Sequence, residues 1–596
     1  MADQPAAEPR LPDAQALSQN LAKVAERSHQ LMSDFLRRQA EAGPGLDDPL
    51  NLGTAFLELT RQMMSDPAKL MEAQAALWQD YLQLWQNTAR SMMGETVEPL
   101  AAPERGDRRF RHEDWNQNQV FDFVKQFYLI TARWMQQTTH DVEGLDGDTR
   151  TKVEFYTRQF ADALSPTNFA LTNPEVLRAI AESDGENLVK GLDNLLRDFE
   201  RGDGKLMISQ TDMEAFEVGV NVGATPGKVV FQNRLLQLIQ YNPSTDKVRR
   251  RPLLITPPWI NKFYILDLKP ENSFIKWAVD QGFTVFVVSW VNPDAEMADT
   301  SFEDYMTGGL IEAVDAVCAA SGEDELTAIG YCIGGTLTAA TLAYMAAQGD
   351  DRIKAVTFFV SLVDFTEVGD LKVFIDEEQI SQLEASMNER GFLRGDEMAT
   401  TFNMLRANDL IWSFVVNNYL LGKEPMPFDL LYWNADSTRM PAAMHSYYLR
   451  NMYMKNLLSQ PGGISLAGQP IDLGRIKIPS YILSAKEDHI APWKACYKAT
   501  QIYSGPTKFV LAGSGHIAGV VNPPASGKYC HWTNTKKPKS HEAWFEGAKQ
   551  HEGSWWPDWK KWLVKHSGDQ VPARTPGDGA LDIVEDAPGS YVKVKC

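Results

Sequence analysis

Cysteine and long apolar runs are both scarce in this sequence. The five cysteines, in 596 residues, form no regular framework, and no CxxC pair suggests a zinc site or a redox loop. The longest apolar run, 283–291, is far shorter than the roughly 18 residues that span a bilayer, and the first 20 residues lack the apolar stretch of a secretory signal. We therefore expect reduced thiols, no metal site, no transmembrane segment and a cytoplasmic protein.

Basic residues are outnumbered by acidic ones. The 58 Lys and Arg against 78 Asp and Glu give a formal net charge of −20, so the molecule as a whole repels polyanions and is not expected to bind nucleic acid. The 41 glycines and 32 prolines are an ordinary share and exclude collagen-like or low-complexity chains. Composition and length are typical of a globular protein with about two to four domains.

The hydrophobic pattern divides the chain into three parts. Residues 1–45 have few large apolar side chains and are predicted to form a mobile tail or a loosely held helix. Residues 46–210 repeat apolar residues at helical spacing and are predicted to form a helical N-terminal domain. One stripe in this domain is predicted to face its core, and it consists of Leu70, Leu77, Trp78, Tyr81, Leu82 and Trp85.

Residues 211–596 alternate short apolar strands with helical segments, which predicts a mostly parallel α/β sheet. The strands of this sheet are predicted at 252–256, 283–290, 326–329, 355–360, 478–483 and 508–511. The interval 362–470 breaks the rhythm because it is long, helical and rich in aromatic residues. We expect it to be an inserted cap, or lid, over the top edge of the sheet.

The first chemical motif follows the strand at 326–329. The sequence Gly330-Tyr331-Cys332-Ile333-Gly334-Gly335 has the G-x-nucleophile-x-G pattern of the α/β-hydrolase elbow, with Cys in place of Ser. The glycines suit a tight strand-to-helix turn, and the helix that follows points its first amides at the nucleophile, where they favour negative charge. Taken alone the motif is weak, because a buried cysteine at a helix start gives the same pattern.

Two further motifs occur in the chain order that this fold requires, which is nucleophile, acid and histidine from successive strand ends. Asp488 follows the strand at 478–483, and His516 lies in a glycine-flanked turn after the next strand. The three positions together predict a catalytic set of Cys332, Asp488 and His516. His489, next to Asp488, is assigned a supporting or structural role.

An oxyanion hole in this fold needs the amide after the nucleophile, here Ile333, and a second amide from a loop after an early strand. The segment Ile255-Thr256-Pro257-Pro258-Trp259-Ile260-Asn261 is its natural source. Since proline has no N–H, Trp259 or Ile260 is the predicted second donor. A rigid loop without a catalytic role is the alternative.

Several long motifs resemble the polyhydroxyalkanoate synthase family. They are GYCIGGT at 330–336, PPWINKFYILDL at 257–268, KEDHIAPW at 486–493, SGHIAGVVNPP at 514–524 and GSWWPDW at 553–559. The similarity extends over about residues 60–596, and the length and N-terminal helical domain resemble class I of the family. The chain is therefore identified as a member of this family.

The resemblance implies a catalytic domain of the α/β-hydrolase fold with Cys332 as nucleophile and Asp488 and His516 as its partners. It implies polymerisation of short-chain (R)-3-hydroxyacyl-CoA, such as 3-hydroxybutyryl-CoA, into polyester. Coenzyme A enters as the substrate thioester, so no separate cofactor is expected. A homodimer at the surface of polyester granules is also implied, with granule-associated proteins as further partners of the N-terminal domain. Candidates for substrate or cap contacts are Asn261, Trp433, Asp436 and His489.

Cysteine suits this chemistry, since acyl transfer from CoA to Cys332 exchanges one thioester for another and keeps the acyl group activated. Asp488 could orient His516 or help to activate the attacking hydroxyl, and the sequence leaves both roles open. Two other functions also remain open. One is a hydrolase related to dienelactone hydrolases, which carry a similar Cys elbow on a shorter chain, and the other is a non-catalytic granule-coating protein.

Overall fold

A computed structural model describes residues 12–42, 52–104 and 106–596. The chain forms two compact units, and each of them is assembled from two stretches of sequence. The first unit comprises Met1–Asp212 and Phe402–Met426, and the second comprises Met213–Thr401 and Pro427–Cys596. Within the described ranges, none of the helices combines the length and apolar character that crossing a membrane requires.

The first unit is helical, as the periodicity of its sequence predicts. Several of its helices begin at side-chain caps; for example, the carboxylate of Asp66 accepts a hydrogen bond from the amide of Lys69 at 3.1 Å. Its helices are α1 (Ala14–Ala42), α2 (Leu52–Ser65), α3 (Pro67–Met92), α4 (Asp114–Gln117), α5 (Gln119–His140), α6 (Gly147–Ala163), α7 (Pro174–Glu182) and α8 (Glu186–Arg201).

Much of the segment predicted as a tail is the long helix α1. In α1, Asn20 donates from Nδ2 to the carbonyl oxygen of Asp184 at 3.0 Å, and Arg27 forms an ion pair with Asp193 of α8. These contacts attach the N-terminal half of α1 to the helical unit. The remainder of the predicted tail, residues 1–11 and 43–45, lies outside the described residues.

The predicted core stripe on α3 is wrong for three of its six residues. Trp78, Leu82 and Trp85 have 66%, 62% and 63% of their surface exposed. The stripe covers more of the helix circumference than one neighbour can bury, because α5 covers only the face around Leu84. The sequence could not distinguish the covered half of the stripe from the exposed half.

Residues 402–426 pack with the helical unit, whereas the sequence assigned them to the cap of the catalytic domain. The Tyr419 hydroxyl donates to Asp198 of α8 at 2.6 Å, and Asn194 donates from Nδ2 to the carbonyl oxygen of Asn418 at 3.0 Å. A Cβ atom on Gly191 would lie 1.8 Å from the carbonyl oxygen of Tyr419. Only glycine therefore allows this approach of the segment to α8.

The second unit contains an 11-stranded sheet in the order β15-β14-β13-β12-β7-β6-β4-β5-β2-β1-β17. Its centre, from β5 to β13, is parallel, and the strands at both edges are antiparallel. The strands of the chain are β1 (Gly227–Gln232), β2 (Leu236–Tyr241), β3 (Lys247–Arg249), β4 (Leu253–Thr256), β5 (Val285–Trp290), β6 (Leu326–Tyr331), β7 (Ile353–Phe359), β8 (Phe392–Leu393), β9 (Met440–Pro441), β10 (Ser465–Leu466), β11 (Gln469–Pro470), β12 (Ser480–Ala485), β13 (Thr507–Ala512), β14 (Cys530–Thr533), β15 (Lys549–Glu552), β16 (Gln570–Pro572) and β17 (Glu585–Asp586).

Each strand predicted for the sheet corresponds to one of its central parallel strands, and the predicted α/β-hydrolase fold is confirmed. The register aligns Thr256 of β4 with Gly330 of β6, and Ala485 of β12 with Ala512 of β13. The carboxyl ends of these strands therefore meet at one edge, where open α/β sheets place their sites.

Helices cover the sheet, and a long insertion separates β7 from β12. The helices of this unit and the insertion are α9 (Phe274–Asp280), α10 (Phe302–Asp304), α11 (Glu312–Ser321), α12 (Ile333–Gln348), α13 (Glu377–Arg390), α14 (Gly395–Leu405), α15 (Asp429–Ala435), α16 (Ala442–Tyr448), α17 (Trp493–Tyr497), α18 (Ala499–Ile502), α19 (His541–Glu546) and α20 (Trp556–Val564). The insertion occupies residues 360–479 and includes the interval that the sequence predicts as a cap.

Candidate active site

Cys332 lies on a strained turn between β6 and α12. Its φ is +52° and its ψ is −125°, a combination of backbone angles that residues other than glycine rarely adopt. Its carbonyl oxygen accepts hydrogen bonds from the amides of Gly335 at 2.9 Å and Thr336 at 3.1 Å, which start the helix. The thiol is thereby held at a helix N-terminus, where the first amides have no partner inside the helix.

The glycines of the motif are required by close backbone approach. A Cβ atom on Gly330 would lie 2.5 Å from the Cα of Gly335, and one on Gly334 would lie 2.4 Å from the carbonyl oxygen of Thr256. The first contact keeps the turn tight. The second brings the loop after β4 directly against the start of α12.

Asp488 and His516 meet beside this turn. The Nδ1 atom of His516 lies 2.7 Å from Oδ2 of Asp488, and both side chains are buried. The other carboxylate oxygen, Oδ1, accepts hydrogen bonds from the amides of Ile490 and Ala491, each at 2.8 Å. Asp488 is therefore fixed by its own turn and holds the imidazole in one orientation.

The charges around His516 favour its protonated form. Burial lowers the pKa of the imidazole, but the negative charges of Asp488 and Cys332, and hydrogen bonds to both, outweigh burial and raise the pKa to about 10. The imidazole ring of His516 lies beside the ring of Tyr331, and the two ring centroids are 6.0 Å apart. His516 is thus hydrogen-bonded to Asp488 and lies where the charge of Cys332 raises its pKa.

The loop that carries Trp259 and Ile260 is held by the residues that follow α15. The Thr438 hydroxyl donates to the carbonyl oxygen of Trp259 at 2.5 Å, and the Thr438 amide donates to that of Ile260 at 3.3 Å. Asn261 pairs with Ser437 in an isolated bridge, and the buried Oδ1 of Asn261 accepts no hydrogen bond from the described residues.

Asp436 and Trp433 contact this same loop. Asp436 forms an ion pair with Lys262 at 2.7 Å and accepts a hydrogen bond from the Tyr264 hydroxyl at 2.7 Å, and all three side chains are buried. The Trp433 Nε1 donates to the carbonyl oxygen of Lys262 at 2.7 Å. Burial lowers the pKa of Lys262, and the charge of Asp436 opposes that shift. These contacts place both cap candidates against the loop.

His489 is half-buried in the turn that carries Asp488. The carboxylate of Asp488 is directed to His516 and to backbone amides. Of His489 and His516, it is therefore His516 that connects Asp488 with Cys332.

Aromatic residues of the insertion also reach the site, and the sequence did not single them out for it. The centroid of the Tyr448 ring lies 5.6 Å from that of the Tyr453 ring and 5.9 Å from that of the Phe365 ring. Burial raises the pKa of Tyr453, and the charges of Cys332 and Asp488 raise it further. The aromatic richness of the segment was visible in the sequence, but which rings face Cys332 was not.

Among the described residues, the other thiols form no hydrogen bond with Cys332, His516 or Asp488, although the charges of Asp488 and Cys332 act on Cys496. All five cysteines are free, and Cys496 is buried with its Sγ 3.5 Å from the carbonyl oxygen of Ala491. Burial raises the pKa of the Cys496 thiol. Among the described residues, no cluster of three His, Cys, Asp or Glu side chains could hold a metal ion.

Comparison with known proteins gives the same family as the sequence motifs. Residues 106–278 match the family described as poly-beta-hydroxybutyrate polymerase (PhaC) N-terminus, and residues 259–523 match the alpha/beta hydrolase fold.

Three relatives align with most of this chain. The poly(3-hydroxyalkanoate) polymerase subunit PhaC of Rhizobium meliloti (strain 1021) is 50% identical over 98% of this chain and 96% of its own length. The poly(3-hydroxyalkanoate) polymerase of Methylorubrum extorquens is 49% identical over 98% of this chain and 99% of its own. The PhaC subunit of Cupriavidus necator is 45% identical, with 89% of each chain covered. The chain therefore belongs to the poly(3-hydroxyalkanoate) polymerase family.

Proposed function

We propose that this protein polymerises short-chain (R)-3-hydroxyacyl-CoA into polyester and releases CoA through an acyl intermediate on Cys332. The observation that carries the proposal is the connected arrangement of Cys332, His516 and Asp488 at the strained turn. The family relationship supports the substrate class, and the short acyl chain follows from the resemblance to class I. The same resemblance supports a dimer that acts at the granule surface.

In the first step the Sγ of Cys332, whose proton is held by His516, attacks the thioester carbonyl. The raised pKa of His516 lets its imidazole keep that proton until the C–S bond to CoA breaks. The leaving CoA thiolate then takes the proton. The amide of Ile333 and an amide of Trp259 or Ile260 stabilise the oxyanion. The ion pair of Lys262 with Asp436 keeps the loop that carries Trp259 and Ile260 in place.

In the second step the 3-hydroxyl of another acyl unit attacks the Cys332 thioester. The hydroxyl loses its proton to His516 or to Asp488, the new ester bond forms, and the C–S bond to Cys332 breaks so that Cys332 leaves as the thiolate. Water would compete with the hydroxyl, so the site must exclude it. Tyr448 and Tyr453 are suited to that task, because the charge of Cys332 acts on both hydroxyl groups and their rings pack with each other and with Phe365.

The proposal is tested by following free thiol release from (R)-3-hydroxybutyryl-CoA and sizing the acyl product. We expect release with an insoluble polyester, and Cys332→Ala should abolish both. Cys318→Ala, which removes a half-buried thiol on α11, is the matched control and should retain activity. Release of free 3-hydroxybutyrate alone would identify a hydrolase instead. Thiol release that persists in Cys332→Ala would refute the assigned nucleophile.

A further inference from the structure

The indole side chain of Trp259 is a buried hydrogen-bond donor that the proposed chemistry does not use. Trp259 is only 2% exposed, and its Nε1 reaches no acceptor among the residues that the structure describes. An indole N–H can donate but not accept, so a ligand that pairs with it must offer an acceptor atom. An unpaired donor inside a protein costs stability, and it therefore needs a functional explanation.

Other buried tryptophans of the second unit have partners for the same atom. The Nε1 of Trp290 donates to the carbonyl oxygen of Pro257 at 2.9 Å, and its ring meets that of Trp259 edge to face with the centroids 5.6 Å apart. Further indoles that donate to described atoms are those of Trp433, Trp555, Trp556 and Trp559. The unpaired N–H is thus a particular property of Trp259 and not of buried tryptophans in this fold.

The backbone places Trp259 beside the reacting carbonyl of the proposed substrate. Its loop is packed against the start of α12, because a Cβ atom on Gly334 would lie 2.6 Å from the carbonyl oxygen of Pro257. The amide of Trp259 or of Ile260 is the proposed second donor to the thioester oxygen. A substrate held by this loop therefore has its acyl group next to the Trp259 side chain.

Aromatic rings extend from Trp259 towards the nucleophile. The Trp259 ring packs on Tyr305 with the centroids 4.5 Å apart and on Phe302 at 6.4 Å. Phe302 in turn stacks on Tyr448 at 6.2 Å, and the charge of Cys332 acts on the Tyr448 hydroxyl. Such a wall suits the hydrocarbon part of an acyl chain, and a few polar atoms within it can fix the orientation of a ligand.

The acyl group of the proposed substrate has one acceptor besides its thioester oxygen, which is the 3-hydroxyl oxygen. That oxygen is attached to the third carbon of the acyl chain, so both oxygen atoms can contact residues of one loop. We propose that the Nε1–H of Trp259 donates a hydrogen bond to the 3-hydroxyl oxygen of the acyl group that is transferred to Cys332. Trp259 thereby selects 3-hydroxyacyl thioesters over unsubstituted ones, since an acyl chain without the hydroxyl leaves the donor unpaired. This inference rests on the proposed function, which supplies the substrate.

The test compares (R)-3-hydroxybutyryl-CoA with butyryl-CoA, which lacks the hydroxyl. Full-length enzyme in excess over a subsaturating thioester limits each Cys332 to one acyl group, so thiol release reports acylation alone. A net hydrogen bond of ordinary strength corresponds to a factor of about three to ten in the ratio of the two second-order rate constants. The wild type should favour the hydroxyacyl substrate by at least that factor. Equal rates in the wild type would overturn the proposal without any variant.

Trp259→Phe keeps an aromatic ring and removes the N–H, so the preference for the hydroxyacyl substrate should fall by about three- to tenfold. Trp290→Phe is the matched control, because it makes the same change next to Trp259 but removes a donor that has a partner. Its ratio of the two rate constants should stay at the wild-type value. Its urea unfolding midpoint should fall further than that of Trp259→Phe, since it leaves the Pro257 carbonyl unpaired.

The outcomes separate this inference from the proposed function. Thiol release with the wild-type preference retained in Trp259→Phe would show that the indole binds solvent only, and would overturn this inference alone. A wild type that releases thiol from neither thioester would overturn the proposed function and this inference with it. A general defect of folding or loop position lowers both rate constants together and leaves their ratio unchanged.

Discussion

At the scale of single residues, close backbone contacts explain why the motif around Cys332 contains its glycines. The turn at the nucleophile needs backbone atoms closer than any Cβ allows, and this fixes Gly330 and Gly334 beside a cysteine with positive φ. The order of Asp488 and His516 then follows from the strand order of the fold. What the sequence left open at this scale is the role of Asp488, which contacts His516 and no other described titratable side chain by hydrogen bond.

Asp488→Asn should separate the two roles of this carboxylate. If Asp488 only orients His516, acylation of Cys332 and polymer growth should fall together, and if it activates the hydroxyl, acylation should survive while growth collapses. Quenched-flow detection of the acyl-enzyme, set beside the steady-state rate of thiol release, distinguishes these outcomes.

The same variant has a defined pH signature. The His516 pKa of about 10 lies above the ordinary value near 6.5 of an unfolded chain, so protonated His516 stabilises the fold fully below pH 6.5. That stabilisation disappears as pH rises from 6.5 to 10. Removing the Asp488 charge lowers the His516 pKa, so the loss of stability in the variant should be largest below pH 6.5 and fade towards pH 10. Urea unfolding at several pH values measures it, and a difference that grows with pH would contradict the assignment.

Among the elements, the loop after β4 shows how a buried polar group can serve a site without touching substrate. Lys262, Tyr264 and Asp436 form a cluster that attaches the residues after α15 to the proposed oxyanion loop. A motif in the sequence indicated Asp436 and Trp433 as cap candidates. Their actual contacts join elements far apart in sequence, so periodicity could not reveal them.

Asp436→Asn should destabilise the protein by about 3–5 kcal/mol, because it leaves the Lys262 ammonium buried without its carboxylate. It should also lower kcat for thiol release more than it raises KM, because a displaced oxyanion donor weakens transition-state binding. Thermal unfolding and steady-state kinetics measure the two effects. The double variant Lys262→Met with Asp436→Leu is the control and should recover most of the stability. A kcat that stays at the wild-type level in Asp436→Asn would exclude the positioning role.

At the scale of the whole molecule, the helical unit is completed by a segment from the middle of the chain. Residues 402–426 supply Tyr419 to Asp198, and α8 accepts this segment only because Gly191 has no side chain. Helix propensity favours alanine over glycine at such a position, so sequence rules give the opposite expectation for a change there.

Gly191→Ala should therefore destabilise the full-length protein by about 1–3 kcal/mol through overpacking. Gly147→Ala at the start of α6 is the matched control, since nothing lies within 4 Å of its added Cβ, and it should be neutral or slightly stabilising. Urea unfolding of the two variants and the wild type makes the comparison. Equal stability of all three would show that residues 402–426 do not pack against α8 as described.

The sequence by itself determined the α/β-hydrolase fold, the family and the positions of Cys332, Asp488 and His516, because short turns and strand periods are encoded in contiguous residues. The tertiary structure alone decided that Asp436 pairs with Lys262, that residues 402–426 complete the helical unit and that half of the α3 stripe is exposed. These features depend on which distant surfaces meet. An apolar or charged side chain carries no local signal that names its partner.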